Sequence, residues 1–139
     1  DKSLTTPPKI LNPDFWILWG VYEWGQYGKE YTAKVGDRIA FLFTGKTDKP
    51  LPFKDPRGPN WDQCLKFRIV TEDGKILIDW VEKCYGYTNE PYEFKETFEY
   101  IVDLKPGTYR IYLELIDFEN SKKITPEIKK IGPVTLHVV

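Results

Sequence analysis

Residues 64–84 read CLKFRIVTEDGKILIDWVEKC, in which Asp73-Gly74 lies between two runs rich in Ile, Leu, Val and Phe. An Asp-Gly pair between two such runs is a strong signal for a tight β-hairpin. Closing the turn there predicts strands at Cys64–Thr71 and Lys75–Lys83, with side chains that suit one another across the pair. The predicted cross-strand neighbours are Phe67 with Trp80, Ile69 with Ile78, and Arg68 with Asp79.

The same register brings the two cysteines of the chain close together. It places Cys64 opposite Lys83, one residue short of Cys84, and a single bulge or a three-residue turn would align the two sulfurs. A pair of buried thiols is the alternative. We predict a structural disulfide, which would close a loop of about 20 residues and contribute roughly 3 kcal/mol in the chain-entropy model. A disulfide favours an oxidising compartment, although cytosolic proteins of hyperthermophiles carry disulfides as well.

Short apolar runs separated by turn residues continue along the chain, and no window keeps a helical period over three turns. Apart from the hairpin, strands are predicted at Phe15–Trp24, Arg38–Thr44, Phe94–Asp103, Thr108–Asp117 and Val134–Val139. Long loops are predicted at Gly45–Gln63, which carries four prolines, and at Phe118–Gly132. We therefore expect a leading segment or linker at residues 1–13 and one all-β domain at residues 14–139.

Length and composition fit a single globular domain. The 139 residues suffice to bury a core, and aromatic residues make up 16% of the chain, which favours pleated sheets. The formal net charge is -1, with no run of five like charges, so the sequence lacks the basic footprint of a nucleic-acid-binding protein. The chain contains no Met, so we expect a processed piece from which a signal or anchor segment has been removed. Abundant Lys, Glu, Ile and Tyr without Met is typical of a thermophile.

The segment Leu104-Lys105-Pro106-Gly107-Thr108-Tyr109 resembles the E–F corner of fibronectin type III and related immunoglobulin-like domains. The resemblance implies a tyrosine corner, in which the Tyr109 hydroxyl bonds the backbone a few residues upstream. It also implies an immunoglobulin-like antiparallel β-sandwich of about seven to nine strands. The chain departs from antibody-type domains, because its cysteines fall on strands C and C′ rather than on B and F. Residues Thr47–Phe53 and Glu72–Lys75 are weakly similar to the bacterial intracellular proteinase-inhibitor type of sandwich.

The sequence lacks the motifs of common catalytic sites. It has no glycine-rich phosphate loop after a strand, no Gly-x-Ser-x-Gly and no His-Glu-x-x-His. The single histidine, His137, falls in the predicted last strand, where a packed or solvent-facing role is commoner than a catalytic one. One histidine and two bridged cysteines do not supply a zinc or copper site, and the loop acids Asp48, Asp55 and Asp62 fit solvated side chains better than a calcium site. We therefore expect neither catalysis nor a bound metal or cofactor.

Aromatic side chains carry the main functional signal. Those expected to converge at one end of the sandwich as a binding surface are Trp61, Tyr85, Tyr87, Tyr92 and Phe118. Exposed Tyr and Trp anchor protein interfaces and stack on sugar rings, whereas the alternative is an accessory core folded over the sandwich end. The first predicted strand is apolar on both faces, so it lies between two layers or pairs with another molecule. Its candidate self-association residues are Trp16, Trp19, Tyr22 and Trp24.

These features predict a non-catalytic, extracellular or cell-envelope module that contacts another protein or copies of itself. A carbohydrate-binding module with the loop aromatics as its stacking platform is one alternative, and a protease inhibitor presenting an ordered loop is another. A flat row of coplanar rings would favour carbohydrate binding, and a rigid proline-rich loop would favour inhibition. An apolar patch of more than a few hundred Å² on the first strand would favour assembly. Neither nucleic acid nor a cofactor is an expected partner.

Overall fold

The computed structural model describes residues 7–20, 24–51, 63–118 and 125–139, and these residues form a β-sandwich. Within those ranges every regular element is a strand, so the described chain has no helix that could span a membrane. The strands are β1 (Ile10–Trp19), β2 (Gln26–Gly28), β3 (Glu30–Ala33), β4 (Arg38–Pro50), β5 (Cys64–Thr71), β6 (Ile76–Cys84), β7 (Pro91–Ile101), β8 (Gly107–Ile116) and β9 (Lys129–Val138). The predicted all-β sandwich is confirmed.

The strands divide into two sheets that pack face to face. The four-stranded sheet has the order β2-β1-β4-β7, and all its pairs are antiparallel. The five-stranded sheet has the order β3-β9-β8-β5-β6. Its pairs are antiparallel except at one edge, where β3 runs parallel to β9 with Glu30 beside Thr135. The chain changes from one sheet to the other at Lys29, between β2 and β3.

The core fills the space between the inner faces of the two sheets. Alternate side chains of β4 and β5 point inward because successive side chains of a strand leave on opposite faces. The fully buried residues that point inward are Ile39, Phe41 and Phe43 on β4 and Leu65, Phe67 and Ile69 on β5. The ring of Phe67 lies 5.3 Å from that of Phe43 and 5.2 Å from that of Phe98 on β7. One aromatic side chain of the five-stranded sheet therefore contacts two strands of the opposite sheet.

The predicted hairpin is confirmed, but its register shifts in two places, between Phe67 and Ile69 and between Ile69 and Val70. Ile69 faces Ile78 as predicted, and Cys64 faces Cys84, with which it forms the predicted disulfide. The predicted pairing of Phe67 with Trp80 is wrong, because the register shifts between Phe67 and Ile69 and Val81 lies opposite Phe67. This irregularity leaves Trp80 on the surface, as a β-bulge does when it re-aims a side chain.

Arg68 does not face Asp79 in the way that the regular register predicted. Its guanidinium lies 4.5 Å from the centre of the Trp80 ring and forms a 2.7 Å ion pair with Glu114 on β8. Glu114 is buried, so this pair is a fixed part of the outer face of the five-stranded sheet.

Several predicted strand boundaries are corrected. The first strand occupies Ile10–Trp19 rather than Phe15–Trp24, and so begins inside the predicted leading segment. Asn12 has a φ of 51° and lies in a bulge between Leu11 and Asp14. The bulge interrupts the alternation of inward and outward side chains, so the sequence pattern does not indicate a strand in this segment. β4 continues through the first residues of the predicted Gly45–Gln63 loop and ends at Pro50.

The prolines of that segment predict a loop, because proline cannot donate to a ladder, but Pro50 lies opposite Pro91 at the end of the ladder. Neither proline has a backbone N–H to donate to the ladder. At the end of a strand this is tolerated, whereas in the middle of the sheet it would remove a ladder hydrogen bond. At the other end of the chain, β9 begins at Lys129, which shortens the predicted Phe118–Gly132 loop.

The predicted tyrosine corner is confirmed at the start of β8. The Tyr109 hydroxyl donates a 2.5 Å hydrogen bond to the carbonyl oxygen of Lys105, four residues upstream. This bond ties the turn before β8 to the strand itself.

We expect Tyr109→Phe to lower the free energy of unfolding by about 1 kcal/mol, the usual net value of one intramolecular hydrogen bond. Urea denaturation measures the change. Tyr27→Phe, at a tyrosine that is 67% exposed, is the matched control and should leave the midpoint unchanged. Equal effects of the two substitutions would show that the corner bond contributes nothing.

Candidate functional site

The outer face of the four-stranded sheet carries a second, smaller apolar layer. In the antiparallel register Trp16 lies opposite Leu42 and Leu18 lies opposite Ala40, all on the side away from the core. Leu18, Ala40 and Leu42 are nevertheless buried, because Trp16 and Trp24 pack against them. Two tryptophans thus cover part of a face that would otherwise be open to solvent.

A third aromatic ring completes this surface. Tyr27 on β2 lies opposite Leu18, and its ring meets that of Trp16 edge-on at 5.6 Å with an interplanar angle of 84°. Tyr27 is 67% exposed, whereas both tryptophans are half-buried. We call Trp16, Trp24 and Tyr27 the aromatic patch. In this patch the Tyr27 ring is largely exposed to solvent, and the rings of Trp16 and Trp24 are partly exposed.

A positively charged side chain lies against each tryptophan of the aromatic patch. The Lys29 Nζ is 3.8 Å from the centre of the Trp16 ring, and it also bonds the Asp14 carboxylate and, at 2.5 Å, the carbonyl oxygen of Phe15. These contacts place the cation at a definite position above the ring.

The Arg38 guanidinium is 4.6 Å from the centre of the Trp24 ring and pairs with the carboxylate of Glu99 on β7. Both cations are therefore held between a ring and a carboxylate. The result is an aromatic surface with a polar rim whose charges compensate one another.

The same sheet face continues beyond the patch toward the far end of β4. Thr44 lies between Asp14 and Lys95, and in the next outward-facing row Lys46 lies between Leu11 and Glu93. A cavity of about 400 Å³ follows these rows, and a second of about 960 Å³ is bounded by the Thr88–Glu93 segment. Both cavities include Lys46 and Glu93. We call the two together the outer groove.

The fold resembles that of a solved structure, the C-terminal domain of Wzt. The superposition has a TM-score of 0.57 and covers 96% of this chain and 74% of that one, with 17% sequence identity. At that identity the likeness shows the fold alone. No protein-family model matches the chain, and no curated protein matches it.

The predicted end cluster does form, but as packed core rather than as an exposed row. The rings of Tyr85, Tyr92 and Phe118 gather around Phe94, with centres 4.9 Å, 5.0 Å and 6.1 Å from it. Phe118 is fully buried. The alternative interpretation, an accessory core at the sandwich end, therefore describes these three residues.

A polar contact fixes the centre of that cluster. The Tyr85 hydroxyl donates a 2.9 Å hydrogen bond to Glu96, and burial together with this bond raises the pKa of Tyr85 well above its usual range. Of the other members predicted for this surface, Tyr87 is 56% exposed, and Trp61 lies outside the described residues.

The predicted self-association strand divides between the two faces of its sheet. Trp16 and Trp24 lie on the outer face, as described above, and Tyr22 lies outside the described residues. Trp19 points to the inner face, where its ring stacks on that of Tyr31 at 4.4 Å and packs against the core. Trp19 is therefore structural and not part of an exposed contact surface.

Along Ile17–Trp19, β1 is also not the edge strand that self-pairing would need, because β2 flanks it there and β4 flanks it on the other side. β2 has only three residues, a length too short for sequence patterning to detect. For that reason Tyr27 was missing from the sequence-based candidates.

The remaining reactive groups have structural partners. His137 contacts Thr108 at 2.9 Å through Nδ1 and the Glu30 carboxylate through Nε2, which links three strands of one sheet. In the part of the chain that the structure describes, the one cluster with the spacing of metal ligands is Cys64, Glu82 and Cys84. Both of its sulfurs belong to the disulfide and are not thiolate ligands.

Proposed function

We propose that this chain is a non-catalytic carbohydrate-binding module whose binding surface is the aromatic patch. The observation that carries the proposal is the grouping of Trp16, Trp24 and Tyr27 on one sheet face, with charge-compensated cations beside the tryptophans. Aromatic rings offer apolar faces to the C–H side of a sugar, and ion-paired side chains retain donors and acceptors for its hydroxyl groups. A surface with both properties suits a polar, uncharged ligand.

Assembly through the first strand is less well supported. Such an interface would need an exposed apolar patch of more than a few hundred Å². Three apolar residues of this face, Leu18, Ala40 and Leu42, are already buried under the tryptophans. The exposed apolar surface is divided between the rings of the aromatic patch and two separate side chains, Leu11 and Ile101, with polar groups between them. Such a divided surface matches a sugar better than a second protein.

One further feature supports a secreted or cell-envelope module. The Cys64–Cys84 disulfide favours an oxidising compartment. The disulfide also joins β5 and β6 at one end of the hairpin, which makes that part of the sandwich rigid.

The proposal is tested by screening the protein against a broad array of immobilised glycans and repeating the screen with Trp16→Ala. We expect binding by the unmodified protein and a loss of roughly tenfold or more in the variant, equivalent to about 1.4 kcal/mol. Trp80→Ala is the matched control, because Trp80 is also a surface tryptophan under a cation but lies on the opposite sheet.

Two outcomes would count against this function. One is the absence of binding to any glycan on the array. The other is a dimer in light scattering that Tyr27→Asp dissociates, which would assign the aromatic patch to self-association instead. Circular dichroism of each variant shows whether the sandwich has folded.

A further inference from the structure

We propose that the outer groove binds a linear, uncharged glycan along its length, with several sugar units in contact, rather than a single terminal sugar. This inference rests on the proposed function, because it takes the aromatic patch as one part of a longer sugar-binding surface. It assigns the rest of that surface to the rows of β1, β4 and β7 beyond the patch.

The register of the sheet gives the length of this surface. Along β4 the outward-facing residues run from Ala40, opposite Leu18, to Lys46, opposite Leu11. Six residues of extended strand span ~20 Å. The aromatic patch occupies one end of that distance, so a ligand that covered the patch alone would leave most of the face unused.

The wall at the other end of the groove is fixed in place. Thr88 accepts a hydrogen bond of 2.9 Å from the Leu51 amide through its hydroxyl, and its own amide donates one of 2.9 Å to the Leu51 carbonyl oxygen. Leu51 is fully buried. The Tyr92 amide donates a further bond of 2.7 Å to the hydroxyl of Thr47, which is buried in β4. The segment that bounds the larger cavity is therefore anchored to the sheet rather than loose above it.

The charges along the groove point to an uncharged ligand. In the row farthest from the patch Lys46 lies directly opposite Glu93. In the patch itself Lys29 pairs with Asp14, and Arg38 pairs with Glu99. Among the described residues, cations and carboxylates thus occur together at both ends of the face, which leaves no single-sign field there to attract a polyanion. Hydroxyl groups, which both donate and accept, match such a mixture.

A chain-length series tests the inference. The probes are β-1,4-glucan, α-1,4-glucan, β-1,4-mannan and β-1,4-xylan oligosaccharides of two to six units, measured by isothermal titration calorimetry. For the preferred series we expect affinity to rise roughly tenfold or more from the dimer to the hexamer, because the longer chains also contact the Thr44 and Lys46 rows beyond the patch. Oligogalacturonates, which carry a carboxylate on each unit, should bind more weakly than any neutral series that binds.

Variants in the aromatic patch and in the outer groove separate the two parts of the sugar-binding surface. Trp16→Ala should weaken binding at every length, whereas Lys46→Ala should weaken the hexamer several-fold and leave the dimer unchanged. Lys66→Ala, on the outer face of the other sheet, is the control and should have no effect.

Each failure has its own meaning. Equal affinity for dimer and hexamer would overturn the extended groove and leave the proposed function standing. Preference for the oligogalacturonates, or binding on the array to charged glycans alone, would overturn the uncharged ligand. A protein that binds no glycan at all would overturn the proposed function itself.

Discussion

Phe67→Ala is expected to lower the free energy of unfolding by about 4 kcal/mol, within the usual range for removing a buried phenylalanine ring. Phe67 is fully buried, and its ring contacts Phe43 and Phe98, which belong to two strands of the opposite sheet. Truncation removes apolar contacts and leaves a cavity between layers that β-strands cannot readily collapse to fill. Guanidinium denaturation followed by tryptophan fluorescence measures the loss.

Two controls accompany that measurement. Phe67→Leu retains much of the volume and should cost less than half as much as alanine. Val35→Ala, at a position that is 59% exposed, should change the free energy of unfolding by less than about 0.5 kcal/mol. A cost for Phe67→Ala below about 1 kcal/mol would show that the sheets are not held together at this ring.

Removing the disulfide by the double change Cys64→Ala and Cys84→Ala is expected to lower the free energy of unfolding by roughly 3 kcal/mol. The two cysteines are 20 residues apart in sequence, and the bridge restricts that loop in the unfolded chain. Chemical denaturation of the two proteins, at the same pH and salt, gives the difference.

Reduction of the unmodified protein should reproduce that loss, and adding reductant to the double variant should change nothing. A thiol assay on the unfolded, unreduced protein provides an independent check. Two reactive thiols there would falsify the bridge and with it the expected stabilisation. Folding of the double variant to the same strand content would show that the hairpin forms without the bridge.

The parts of the fold that the sequence predicts well are those set by local chemistry. Asp73-Gly74 permits a tight turn, and that turn fixes the hairpin register closely enough to pair Cys64 with Cys84. The tyrosine corner is also local, because Tyr109 bonds a carbonyl four residues upstream. Signals of this kind need no knowledge of which strands are neighbours in space.

The errors arise where pairing between distant segments decides the outcome. β4 continues to Pro50 because β7 lies beside it, which the prolines of that segment conceal. A register shift between Phe67 and Ile69 replaces the predicted pairing of Phe67 and Trp80 with one between Phe67 and Val81, and it leaves Trp80 on the surface. The bulge at Asn12 likewise breaks the alternation that would have placed the start of β1 correctly.

The candidate site shows the same division. Trp16 and Trp24 were predicted to be functional, and they lie on the outer face, where they cover a buried apolar layer. Their position beside Tyr27 depends on β2, a strand that only the folded sheet defines. Trp19 was grouped with them because it lies in the same apolar run, yet the pleat turns it inward. Composition identified the relevant residue types, and the arrangement of strands decided which of them share a surface.

The two faces of β4 also constrain how this surface can evolve. The inner face of the strand supplies Phe41 and Phe43 to the core, and the outer face supplies Ala40 and Leu42 as the floor beneath the tryptophans. Most mutations at these buried positions of β4 would destabilise the fold, so few of them can lead to a change of ligand. The flanking positions, such as Tyr27, Thr97 and Lys95, are more exposed and more tolerant of change. Divergence in ligand preference among descendants of this sequence should therefore accumulate at the margins of the groove while its floor stays constant.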